Sequence, residues 1–195
     1  MSALEKQEKL YTYGEYKALS EPNGEKWELI DGEIYVMASS TLRHQDIVGN
    51  IYNRLCERLG RGKCRVVMDV DTRLNYNKGD MTAVRPDILV VCTPSKIDKD
   101  KGSIKGAPDL VIEVLSPSNS RHDLRLKYAK YRDAGVKEIW FVDPVHELVT
   151  VYRMLDNDVY DGRTYGIEDE VPVCILDGFA ISGEDIFEDH EIIDI

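Results

Sequence analysis

At 195 residues, 43% of them hydrophobic, the chain is long enough for one well-cored domain and too short for two large ones. A formal net charge of −11 excludes a protein that coats nucleic acid through a uniformly basic surface. The opening MSALEKQEKL is charged and has no signal-peptide core, and no apolar run approaches the roughly 18 residues that span a bilayer, so a soluble, cytoplasmic protein is expected.

In chain order, Thr12 and Glu15 have capping-box spacing for a short helix through Leu19, closed by the Pro22, Asn23, Gly24 turn. WELIDGEIYVM reads as a hairpin about Asp31 and Gly32, a dipeptide suited to a tight primed turn. From Thr41 to Leu59, Ile47, Val48, Ile51, Tyr52, Leu55 and Leu59 recur at three and four, an amphipathic helix stopped by Gly60. CRVVMDVDTRL reads as one strand on which Asp69 and Asp71 take a solvated face, and a polar loop leads to the strand RPDILVV. KIDKDKGSIKG is charged and glycine-containing and reads as an exposed, mobile loop. PDLVIEVLSPSN is the next strand, followed by a helix from Arg121 to Ala134 with Ser120 and Asp123 at capping-box spacing and Gly135 closing it. EIWFVDP and LVTVYR form a last strand pair, and an acidic tail runs from about 183 to 195. This order predicts a single α/β domain over 1–195, with a mixed sheet between helices. The scattered Cys56, Cys64, Cys92 and Cys174 contain no CxxC pair and read as reduced, packed thiols.

Asp87 and Glu113 are carboxylates within runs of branched apolar residues. Burying them costs free energy unless a cation or hydrogen bonds offset the desolvation, and converged on one ion they suit metal-assisted hydrolysis of a phosphodiester. The ordinary alternatives are a turn-capping role for Asp87 and an arginine partner for Glu113. Asp109 lies roughly 13 Å of extended chain from Glu113, too far to share an ion, and reads as a strand-start residue. On a helical wheel Lys127 falls with Leu124, Tyr128, Tyr131 and Ala134 on the arc that faces the sheet. There it either snorkels along the core edge or serves a carboxylate cluster. Arg121, Arg125 and Lys130 belong to a locally basic helix that either docks a phosphate backbone or is simply solvated. His44 shares the apolar face of its helix and is either a satisfied core histidine or a site residue. Glu33 follows the hairpin turn and either supports the site or faces solvent; Glu28 ranks below it.

The ordered set WELIDGEIYVM, His44, RPDILVV, PDLVIEVLSPSN, DLRLKYAKY and AGVKEIWFVDP resembles the Uma-two family of restriction endonuclease-like proteins, within the PD-(D/E)XK nuclease superfamily, from about Tyr13 to Tyr152. The resemblance implies a restriction endonuclease-like fold with Asp87 and Glu113 as metal ligands and the Val114 carbonyl as a further one. The superfamily lysine two residues after the glutamate is replaced by Leu115. The resemblance implies that this lysine has moved to the following helix as Lys127, and that the helix bearing His44 supplies a polar group. The expected protein is a Mg²⁺- or Mn²⁺-dependent DNA endonuclease acting as a homodimer, because two strand cuts need two sites, with no membrane partner. Two alternatives stay open: a non-catalytic DNA-binding or assembly module that retains the fold, favoured by the acidic charge and Leu115, and a hydrolase of small phosphodiesters.

Overall fold

A computed structural model describes residues 9–19, 26–37, 39–116, 121–156 and 159–189, and of residues 121–123 the backbone alone. The Pro22 turn and the Ser120 cap lie outside the described residues.

Helix α1 (Tyr13–Lys17) opens on the expected capping box, the Thr12 amide donating to Glu15 Oε2 at 3.0 Å. Strands β1 (Trp27–Ile30) and β2 (Glu33–Val36) form the hairpin, and its turn residues have φ of 53° at Asp31 and 87° at Gly32, as a primed turn requires. Helix α2 (Leu42–Leu59) begins with the Thr41 side chain accepting from the His44 amide and buries Ile47, Ile51 and Leu55. Then follow β3 (Arg65–Met68), β4 (Thr72–Arg73), β5 (Ala83–Val84) and β6 (Ile88–Val91), β7 (Ile97–Asp98) and β8 (Ser103–Lys105), and β9 (Leu110–Val114). Helix α3 (Arg121–Ala134) ends at Gly135, whose φ is 83°. Strands β10 (Glu138–Asp143), β11 (Leu148–Met154), β12 (Tyr160–Tyr165), β13 (Glu170–Pro172) and β14 (Ala180–Ser182) lead to α4 (Gly183–Phe187).

The central mixed sheet runs β12-β11-β10-β9-β6-β3, with β9 and β10 parallel and the other pairs antiparallel. Side-chain alternation divides its faces. Ile88, Val90, Leu110, Ile112 and Trp140 pack under α2, while Val111, Ile139 and Phe141 pack under α3 with Tyr131. This is the expected α/β arrangement, a mixed central sheet between helices with an N-terminal helix and hairpin.

Four expectations change. CRVVMDVDTRL is two strands, because Asp69 adopts φ 48° and turns the chain, so that β4 joins a second sheet of order β2-β1-β5-β4-β8-β7. Asp71 is buried rather than solvated: its Oδ2 accepts from the Tyr13 hydroxyl at 2.9 Å and pairs with Lys17 at 3.1 Å. The stretch expected as a mobile loop forms the β7–β8 hairpin, with Ile97 opposite Ile104 and Ser103 buried. The tail expected from 183 instead begins with α4, which drives Ile186 and Phe187 into the core under α2.

The thiol expectation also fails at one pair. Arg65 stands opposite Val91, so the next residues outward, Cys64 and Cys92, face each other with Cα atoms 3.9 Å apart and are joined as a disulfide. Cys56 and Cys174 are free.

Candidate active site

The register of β6 against β9 pairs Ile88 with Ile112, and one residue further Asp87 falls opposite Glu113. Adjacent strands thus bring two carboxylates from distant sequence positions to one end of the central sheet. Asp87 Oδ2 accepts from the Val114 amide at 2.8 Å and lies 3.3 Å from His44 Nε2 at the start of α2. Glu113, two residues on from Val111, shares its face of the sheet and so faces α3. There Lys127 Nζ reaches Glu113 Oε1 at 3.1 Å and Oε2 at 3.3 Å, and the Tyr131 hydroxyl donates to Glu113 Oε1. Lys127 also lies 2.9 Å from Glu28 Oε1, an atom that accepts from the Arg85 amide at 2.7 Å. Glu28, His44, Asp87, Glu113, Val114 and Lys127 all line one cleft of about 450 Å³.

Burial sets the electrostatics. It pushes the Glu113 carboxyl up to about 7; Lys127 opposes that rise, Asp87 and Glu28 add to it, and the Tyr131 hydrogen bond works against it. Burial alone would lower Lys127, but Glu113 and Glu28 outweigh it and hold the ammonium above its usual range. Burial would likewise lower His44, yet the hydrogen bond and charge of Asp87, with smaller help from the Val114 carbonyl and Glu113, leave it raised. His44 Nδ1 is buried without a hydrogen-bond partner. Tyr131 is raised well above its ordinary value, first by burial and then by Glu113 and Glu28.

The other expected residues fall elsewhere. Glu33 is exposed and does not line the cleft, but accepts at 2.8 Å from the hydroxyl of Tyr35, which does. Lys130 pairs with Asp31 at 2.6 Å and Arg125 is exposed, while the Arg121 side chain lies outside the described residues. Asp109 sits at the far end of β9, accepting from the Cys92 amide at 2.7 Å and from Lys137 at 2.7 Å. Leu115 packs with the apolar residues under α3. Glu28 and Tyr131 are what the sequence reading undervalued. Both lie within apolar patterns that put them in the core, Glu28 beside Leu29 and Ile30 and Tyr131 four residues after Lys127.

The family model Uma2, described as "Putative restriction endonuclease", matches residues 13–182. The chain belongs to the Uma2 family. Two Synechocystis sp. relatives, "Uncharacterized protein slr1290" and "Uncharacterized protein sll1609", are 32% and 28% identical over 60% and 64% of this chain. Those matches span 60% and 69% of the relatives' own lengths. A crystal structure described as "a putative nuclease belonging to DUF820" from Anabaena variabilis superposes with a TM-score of 0.73 at 22% identity, over 91% of this chain and 97% of that one, a likeness of fold.

Among the described residues, no three or more His, Cys, Asp or Glu side chains converge as a ready-made metal cage. The donor types at the Uma2 cleft nonetheless suit a hard divalent cation, which takes carboxylate and carbonyl oxygens. Among the described residues no helix is long and apolar enough to cross a membrane.

Proposed function

We propose that this Uma2 chain is a Mg²⁺- or Mn²⁺-dependent endonuclease that hydrolyses phosphodiester bonds in DNA. One observation carries the reading: the carboxyl groups of Glu28, Asp87 and Glu113 line one cleft with a single ammonium, Lys127. Asp87 and Glu113 would hold the cation, with the Val114 carbonyl beside them. Mg²⁺ commonly uses only one or two carboxylates and completes its shell with waters and substrate phosphate, so two suffice without a ready-made cage. Bound there, a divalent cation would neutralise charge on the phosphoryl oxygens and acidify a water.

The protein's own groups supply the rest. Glu113 must give up its proton to serve as a ligand. Lys127 stays charged and stands in the cleft wall, where its ammonium stabilises negative charge developing on the phosphoryl group. Glu28 and Tyr131 fix Lys127 and Glu113 in place, and His44 orients Asp87. Cutting both strands of a duplex needs two such sites, which a homodimer provides.

A plasmid-nicking assay in Mg²⁺ tests this. Wild type should nick, and Asp87→Asn and Glu113→Gln should not, while both variants melt as folded proteins. If wild type binds DNA in Mg²⁺ and Mn²⁺ without cutting it, a non-catalytic DNA-binding module replaces the nuclease. Cleavage of small diesters without DNA affinity would replace the substrate instead.

A further inference from the structure

The cleft creates a difficulty for its own substrate. The carboxylates that line the cleft repel a phosphodiester chain, and the molecule as a whole carries −11. A surface beside the cleft must hold the polyanion in place, and one lies along the same two elements.

A second groove, of about 590 Å³, is lined by residues that neighbour those of the cleft in sequence. Ile30, the last residue of β1, lines the cleft and Asp31, the first of the turn after it, lines the groove; on α3 Lys127 lines the cleft and Lys130 the groove. Those lysines are three residues apart, roughly 4.5 Å along the helix axis, so one strand crossing α3 can meet both. Lys78, Lys96, Lys105 and Lys130 line the groove, against the carboxylates Asp31 and Asp133. Lys130 is paired with Asp31 and Lys105 with Asp98 at 3.3 Å, and Lys96 donates to the Ala107 carbonyl at 2.6 Å. Lys78 is exposed, its amide donates to the Asn75 carbonyl at 2.7 Å, and its ammonium makes no ion pair or hydrogen bond among the described residues. Partly exposed pairs of this kind contribute little and can be exchanged for a phosphate.

We propose that this lysine-lined groove binds the phosphate backbone of the nucleic-acid strand immediately flanking the bond in the cleft. The groove is formed by the β4–β5 connection, the Pro94–Lys96 turn and β8. The second sheet is therefore a substrate-holding platform, and α3 serves both sites, Lys127 in the cleft and Lys130 in the groove. The inference rests on the nuclease reading for what lies in the cleft.

The experiment measures affinity for a fluorescent duplex by anisotropy at several salt concentrations, with plasmid nicking on the same preparations, for wild type, Lys78→Ala and Lys78→Ala/Lys105→Ala. For every phosphate that a removed lysine had neutralised, the slope of log K against log salt should become shallower by about 0.9. KM for nicking should rise with kcat preserved, and Mn²⁺ affinity should not change. Lys78→Ala tests the groove without disturbing an ion pair, so a folding defect in the double variant does not decide the matter. Nicking with unchanged salt slope and KM in both variants overturns the groove and leaves the nuclease reading standing. DNA binding that weakens in the variants without any cutting by wild type upholds the groove and overturns the nuclease reading. No DNA binding by wild type overturns both.

Discussion

Lys127 Nζ lies 3.1 Å from Glu113 Oε1 across fourteen residues of sequence, which puts a buried ammonium on α3 against a buried carboxylate on β9. Leu115, one residue past β9, packs among the apolar residues under α3, and the cation beside Glu113 comes from that helix. Lys127 offsets the cost of an ionised Glu113 in the core, while Glu28 gives the ammonium a second partner.

Lys127→Met should therefore destabilise the protein by about 3–5 kcal/mol at pH 8, the usual cost of orphaning a buried partner. The loss should shrink at pH 5, where Glu113 takes up a proton. Urea denaturation of Lys127→Met, Glu113→Gln and the double variant forms a cycle; additive effects would mean the two residues are not coupled.

Glu113 also makes stability depend on pH. Its carboxyl is raised from an ordinary 4.5 to about 7, so its stabilising contribution is complete below 4.5 and is lost as pH rises through about 7. In metal-free buffer, Glu113→Gln should gain stability relative to wild type across that interval. A difference that stays flat between pH 4 and 8 would show that Glu113 is not titrating in the core.

Tyr131→Phe removes the hydroxyl that donates to Glu113 and works against its rise. The Glu113 carboxyl should then move further up, shifting the acid limb of the nicking profile to higher pH. An unshifted profile would separate Tyr131 from the chemistry.

At the other end of β9, Asp109→Asn weakens acceptors for the Cys92 amide and Lys137. The expected cost is on the order of 1–3 kcal/mol in stability, typical of hydrogen bonds to a charged group, with Mn²⁺ affinity unchanged. Calorimetry showing weakened metal binding would place Asp109 in the site after all.

Sequence carried the parts of this architecture whose signals are local. Helix α2 is legible because its apolar spacing, the Thr41 cap and the Gly60 stop agree, and the Asp31–Gly32 turn because a primed turn demands positive φ. Asp87 and Glu113 stand out as carboxylates in apolar strands, and the helical wheel turns Lys127 inward. Pairing is not local. Nothing in the chain states that β6 and β9 meet in the register that faces Asp87 with Glu113, or that β3 and β6 bring Cys64 to Cys92. The second sheet is assembled from strands of two to four residues, too short to show alternation. Glu28 and Glu33 flank the same turn, and only the packing of β1 decides that Glu28 is the one beside Lys127.

The most direct measurement is a calorimetric titration of Mn²⁺ into wild type and Glu113→Gln at pH 7.5, with folding of both checked by thermal melting. Wild type should bind the ion with proton release as Glu113 ionises, and the variant should not bind it. Equal binding by the two proteins, or no binding by folded wild type, would contradict a metal site built on Asp87 and Glu113.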